Sequence, residues 1–195
     1  MCFPVNKSSG AAKRRAFVVY FALYSDNEGP GSVYMVICVF GESCTGKTTI
    51  AGALNERLGA TTYTGKDYLK LAKNEPEAGR MFAELLKLHE KSEDIIIYVV
   101  SEKELLSFLP AAAIRVLATA GLNVIKERFA KRMNGTLPIP VATMLEKRHG
   151  MFDNEKHDLH IIDDAEPINS VCEKIIHFCN ASLSKYGLSQ HNQSY

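Results

Sequence analysis

The 195-residue chain reads as an α/β protein, a parallel sheet held between two layers of helices. Three observations predict this. From residue 33 onward, short apolar runs alternate with amphipathic stretches at helical spacing. The runs Val33 to Phe40 and Ile95 to Val100 are continuously apolar, as strands buried on both faces are. The first run leads into a glycine-bounded loop followed at once by a helical pattern. Strands alternating with helices imply parallel pairing through right-handed crossovers, and hence three layers.

Taken in order, Val33 to Phe40 is the first strand. Thr48 to Leu58 carries Ile50, Leu54 and Leu58 at helical spacing and stops at Gly59. Ala60 to Thr64 is a short second strand. Asn74 to Lys91 is a helix with Met81, Leu85 and Leu88 on one stripe and Phe82 and Leu86 beside it. Ile95 to Val100 is the third strand, and Glu102 to Leu109 a short helix closed by Pro110. Ile114 to Thr119 is the fourth strand. Helix Leu122 to Met133 turns Ile125, Phe129 and Met133 inward, a Gly/Pro loop spans Asn134 to Pro140, and Val141 to His149 is helical. Leu159 to Ile162 is the last strand. Helix Pro167 to Asn180 opens on proline and turns Ile168, Val171, Ile175 and Cys179 inward.

Composition bounds the function. Lysine and arginine number 23 against 22 acids, a net charge of +1, which disfavours a dedicated nucleic-acid binder. The apolar fraction of 46% excludes disorder along the whole chain. No apolar run approaches the ~20 residues that cross a bilayer. Five cysteines, an odd number without a C-x-x-C pair, argue against a disulfide framework or a zinc site and for a reducing, cytoplasmic location.

The domain is assigned to residues 33–182, followed by a polar, frayed tail at 183–195. Residues 1–32 read as a loosely attached N-terminal extension or extra strand. There Lys13, Arg14 and Arg15 precede the apolar run Ala16 to Tyr24, the outline of a secretory signal, but no small-x-small cleavage site follows. Met35, at the first strand, is an alternative natural start.

Gly41-Glu42-Ser43-Cys44-Thr45-Gly46-Lys47-Thr48 fits G-x-x-x-x-G-K-[ST], the phosphate-binding loop. Consecutive backbone N–H groups wrap a phosphate only where side chains stay clear, so glycines flank the turn. The following helix aims its amides and dipole at the anion. Gly41 through Thr49, including Thr45 and Gly46, form the predicted nucleotide site. Lys47 reaches the β- and γ-phosphates of ATP, and the hydroxyl of Thr48 ligates Mg²⁺. Cys44 inside the loop offers a thiol, with a bystander role the simpler reading. A GTPase is not indicated. Thr64-Gly65-Lys66-Asp67 has the wrong order for a guanine motif, and Asp26-Asn27-Glu28-Gly29 precedes the loop. A motor-type ATPase places an acid after a later buried strand. Here Ile95 to Val100 leads to Ser101-Glu102, where Glu102 reads equally well as an acid at a helix start.

From about Val33 to Asn180 the order of parts resembles the small P-loop kinases, the nucleoside-monophosphate kinase and shikimate kinase superfamily, closest to its cytidylate-kinase-like branch. The resemblance implies a P-loop NTPase fold with a five-stranded parallel sheet in the order 2-3-1-4-5. It implies an acid-bearing turn at Thr61 to Asp67, with Asp67 as acceptor base or ligand of a metal-bound water. It also implies an acceptor-gripping arginine at Arg80, and a lid reached through Glu127-Arg128-Phe129-Ala130-Lys131-Arg132. The lid itself runs from Met133 to about Pro140 and is followed by Lys147-Arg148. Asp158 to Asp163 resembles the family's last strand. Ser101-Glu102-Lys103 departs from both the D-G-x-P-R motif of monophosphate kinases and the glycine-rich turn of shikimate kinases, so neither acceptor is inherited.

The charge pattern agrees with a phosphoryl-transfer lid. Between Lys126 and His149 six basic residues face two acids. Arg128 and Arg132 are four apart and share a helix face, and with Arg148 they are the lid candidates. His149, His157 and His160 read as turn and surface histidines. Tyr63 and Tyr68 read either as core or as walls of an acceptor pocket. The function expected is ATP- and Mg²⁺-dependent phosphoryl transfer to a small-molecule acceptor, most of all a nucleoside monophosphate or similar nucleotide. The alternative is a P-loop ATP-binding regulatory protein with weak or no kinase activity. A nucleic-acid kinase is disfavoured by the neutral charge, and the pattern indicates no membrane partner.

Overall fold

A computed structural model describes residues 35–88, 94–162 and 166–190. Residues 1–34, with the basic and apolar stretches noted above, lie outside the described residues, as do Asp163 and the last five positions.

Among the described residues five strands form one parallel sheet in the order β2-β3-β1-β4-β5, the order expected. They are β1 (Met35–Phe40), β2 (Thr61–Thr64), β3 (Ile95–Val100), β4 (Ile114–Thr119) and β5 (Leu159–Ile162). The helices are α1 (Lys47–Leu58), α2 (Glu75–Leu88), α3 (Leu122–Arg132), α4 (Ile139–Arg148) and α5 (Ile168–Gln190). No described helix is long and apolar enough to cross a membrane.

Every residue of β1 and β3 is buried, because both sheet faces are covered. The period of two divides the core. Ile37, Val39, Ile97 and Val116 pack with Ile50, Leu54, Val171, Cys172 and Ile175 of α1 and α5. Cys38, Phe40, Tyr98 and Val100 point the other way, toward Phe82 and Leu86 of α2 and Phe152.

Three elements differ from expectation. In α2 the buried face is Ala78, Gly79, Phe82 and Leu86, while Met81 and Leu88 are exposed. Phe82 sets that rotation, since its ring meets Tyr98 at 4.9 Å, Tyr63 at 5.3 Å and Phe108 at 6.0 Å. The segment after β3 is a 3₁₀ turn, Lys103–Phe108, closed by the Leu109 amide donating to the Leu106 carbonyl. Helix α5 continues to Gln190 rather than stopping at Asn180, because no proline or capping glycine interrupts 180–186.

Candidate functional site

The C-terminal ends of β1, β2 and β3 lie side by side, so the loops leaving them gather at one edge of the sheet. The loop after β1 carries the residues that fit the phosphate-loop pattern. Gly41 has φ 146°, and a Cβ there would stand 2.1 Å from the carbonyl oxygen of Ala118, so only glycine fits between β1 and β4. Cys44 (φ 69°) and Gly46 (φ 81°) are both left-handed, which coils the loop before α1 begins at Lys47. The Thr45 hydroxyl donates to the Glu42 carbonyl at 2.9 Å and fastens the coil from within.

Lys47 is 5% exposed and its ammonium donates to the Glu42 carbonyl. Burial is the main cause that brings its pKa down to about 8, assisted by the nearby Arg132. A buried cation facing a coil of backbone amides is suited to a polyphosphate. Thr48 and Thr49 are exposed at the head of α1. A cavity of about 100 Å³ is bounded by Ser43, Lys47, Thr48, Ser101 and Arg132, so Arg132 faces the loop.

Arg128, one turn earlier on α3, donates from Nη1 to the Cys44 carbonyl at 3.1 Å. Arg128 also borders a cavity of about 410 Å³ with Thr49, Ile161, Ile162, Ile168 and Val171, a partly apolar hollow continuous with the loop through Cys44 and Gly46. Helices α3 and α4 form a hairpin. Asn134 (φ 59°) and Gly135 (φ 89°) reverse the chain, and Lys126 pairs with Glu146 at 2.6 Å across the two helices. Helix α4 begins at Ile139, so Pro140 falls in its first turn, where a missing N–H costs nothing. Arg148 ends α4 on its exposed side and lines none of the cavities described here.

Glu42 makes contacts that the sequence did not suggest. Its Oε1 accepts from the Gly150 amide at 2.6 Å, and Oε2 lies 3.3 Å from Nδ1 of His149. The loop is thereby tied to the end of the α3–α4 hairpin. These partners lie more than 100 positions away, and no local pattern announces them.

On the other side of the loop a cleft of about 620 Å³ opens between α2 and the turn after β3. Arg80 lines it, together with Lys66, Glu75, Glu102 and Glu104, and Tyr68 and Phe108 form an aromatic wall. Asp67 lies between two residues that line the cleft, Lys66 and Tyr68, but does not line it itself. Its Oδ2 accepts from the Thr64 amide and hydroxyl, both at 2.8 Å, and its Oδ1 accepts from Lys70 at 2.5 Å. The Lys70 hydrogen bond first, and then those from Thr64, hold the Asp67 carboxyl below its usual range against the opposing effect of burial. Ser101 borders the phosphate cavity and Glu102, the next residue, borders the cleft, so the two spaces meet at the end of β3. Among the described residues no group of three or more His, Cys, Asp or Glu side chains is placed to hold a metal ion.

No protein-family model and no curated protein sequence matches this chain. Solved structures do. An uncharacterized protein from Eubacterium ventriosum ATCC 27560 superposes with a TM-score of 0.56 at 19% identity, over 75% of this chain and 98% of that one. Shikimate kinase from Acinetobacter baumannii, solved in complex with shikimate, superposes with a TM-score of 0.53 at 15% identity, over 83% and 97%. Sheet order and these likenesses together define the fold as that of the small P-loop kinases.

Proposed function

We propose that this chain is an ATP-dependent phosphotransferase acting on a small molecule held in the cleft beside Arg80. One observation carries the reading: a coiled loop with a buried lysine lies between two arginines of a helical hairpin and an open cleft. Phosphoryl transfer demands little covalent chemistry from a protein, but it requires cations around the migrating group and exclusion of water. Lys47 serves the β- and γ-phosphates, and Arg132 and Arg128 serve the charge that spreads over the transferred group. The cavity lined by Ile161, Ile168 and Val171 offers an apolar seat for a nucleobase.

The loop fits a nucleotide with its metal. Buried Lys47 and the exposed Thr48 side chain border the same small cavity at the head of α1. Thr48 would hold Mg²⁺, which when bound neutralises phosphate charge. Arg80 is the acceptor clamp, and Arg148 guides phosphate toward the closing hairpin. The free cysteines Cys38, Cys44, Cys172 and Cys179 favour a reducing, cytoplasmic location.

ADP release measured with panels of nucleoside monophosphates and of alcohols tests the reading. Stimulation by one acceptor above the water background is expected, and Lys47→Ala abolishes it. ATP binding with no ADP release under any condition would instead favour a regulatory nucleotide-binding protein.

A further inference from the structure

Within the kinase reading just given, we infer that the acceptor offers a hydroxyl rather than a phosphate to the γ-phosphorus, and that Glu102 is the carboxylate that takes the hydroxyl proton. Position is the first ground. The Gly41 amide donates to the Val100 carbonyl at 3.2 Å, which fixes the end of β3 against the start of the phosphate loop. Ser101 then borders the phosphate cavity, and Glu102 enters the cleft. Glu102 is therefore the acid at the junction of the donor and acceptor spaces.

Its side chain is not spent on structure. Glu102 precedes the 3₁₀ turn with extended backbone (φ −121°, ψ 125°), yet it makes no side-chain capping hydrogen bond. Its carboxylate is half-exposed and lies 3.5 Å from the Lys66 ammonium across the cleft. That distance steadies the group without locking it. Asp67, the base expected from the sequence, has both oxygens engaged by Thr64 and Lys70 in its own turn. The Lys70 hydrogen bond also makes it a weaker proton acceptor.

Charge decides the class of nucleophile. Glu75, Glu102 and Glu104 face the cleft against Lys66 and Arg80, and Lys66 already attends Glu102. A phosphate dianion entering here would meet an excess of negative charge. The cations able to offset it, Arg128 and Arg132, stand over the phosphate loop on the donor side. A neutral hydroxyl is accepted by the same wall and activated by it. Tyr68 and Phe108, with ring centroids 5.0 Å apart, give the carbon skeleton an apolar surface, and Arg80 remains for a polar substituent away from the reacting oxygen.

The step balances. The acceptor oxygen forms a bond to the γ-phosphorus while the bond from that phosphorus to the β,γ-bridging oxygen breaks. ADP departs with the electron pair, and the hydroxyl proton passes to Glu102 and then to solvent.

Water is itself a hydroxyl nucleophile and is always present, so the experiment begins with ATP hydrolysis. Wild type, Glu102→Gln and Asp67→Asn are compared for ADP release in water alone. The same three are then assayed with glycerol, glucose, shikimate and ethanolamine, and with AMP, CMP, GMP and UMP. The ATP-induced rise in melting temperature is read alongside. Glu102→Gln is expected to melt and bind ATP like wild type but to lose about 10-fold of basal hydrolysis, and on the order of 100-fold of any alcohol-stimulated rate. Loss of basal hydrolysis supports the inference even where no alcohol in the panel is active. Wild-type rates in Glu102→Gln, the main loss in Asp67→Asn instead, or stimulation by a monophosphate where no alcohol acts would each overturn it and leave the kinase reading standing. ATP binding without ADP release in wild type would overturn the kinase reading itself.

Discussion

At the turn after β2, Asp67 closes a small circuit: one oxygen gathers the amide and hydroxyl of Thr64, and the other holds Lys70. Hydrogen bonds to an ionised carboxylate are stronger than neutral ones, so the circuit depends on charge. The folded pKa lies below the ordinary value of 3.8, which sets the sign. A depressed carboxylate stabilises the fold above its unfolded pKa, and that stabilisation is lost as pH falls through the lower folded value. Asp67→Asn keeps the shape and removes the charge. It is expected to cost about 1 kcal/mol at neutral pH, or roughly 2–4 °C in melting temperature for a domain of this size. The gap to wild type should hold from pH 7 down to about 5 and close below about 4. A gap unchanged at pH 3 would mean that the carboxylate's charge plays no part in holding the turn. The example also marks what a motif can convey. The residues of the acid-bearing turn were legible in the sequence, whereas the partners of the carboxylate, which decide its chemistry, were not.

Among the elements, the α3–α4 hairpin is joined to the phosphate loop at two places. Arg128 meets the Cys44 carbonyl from the second half of α3, and Glu42 reaches Gly150 and His149 just beyond α4. Arg132, near the tip of α3, faces the phosphate cavity between these anchors. The two kinds of contact predict different losses. On the proposed function, Arg132→Ala removes a cation that acts on charge developed in the transition state. It should lower turnover by two to three decades, about 3–4 kcal/mol, with little change in ATP affinity. Glu42→Ala leaves the Gly150 amide without its acceptor and unfastens α4, which should cost about 1–3 kcal/mol in stability and weaken ATP binding together with turnover. Equal kinetic profiles for the two variants would dissolve the distinction between anchor and cation. Strands β1 and β3 follow from apolar runs because both faces of each are covered, whereas the edge strand β5 buries Ile161 alone. The rotation of α2 does not follow from such a run, since it is set by Phe82 finding Tyr98, Tyr63 and Phe108, three rings that the sequence places on other elements.

Across the whole molecule the sheet separates two tasks. Its interior, with Ile97 fully buried against the α1 and α5 faces, supplies stability, and the proposed chemistry falls to the loops at the C-terminal edge. The phosphate loop is held by backbone on both sides, through Val100 and through the close approach of Gly41 to Ala118, so it does not depend on the shape of one core side chain. Changes in the core and at the loop should therefore add rather than couple. Ile97→Val is expected to lose about 0.5–1.5 kcal/mol from the vacated methyl group. ATP with Mg²⁺ at about 100 times its dissociation constant adds about 2.7 kcal/mol to any form that binds it, or roughly 5–10 °C at this size. The melting temperature of Ile97→Val should start lower than wild type and rise on nucleotide addition by the same increment. Lys47→Ala should start at or above wild type, since a buried cation has been removed, and should show no increment at all. Melting curves of the three proteins with and without nucleotide measure both effects in one experiment. An increment lost in Ile97→Val would mean that the loop takes its shape from the core rather than from its own glycines and the strand ends that hold them.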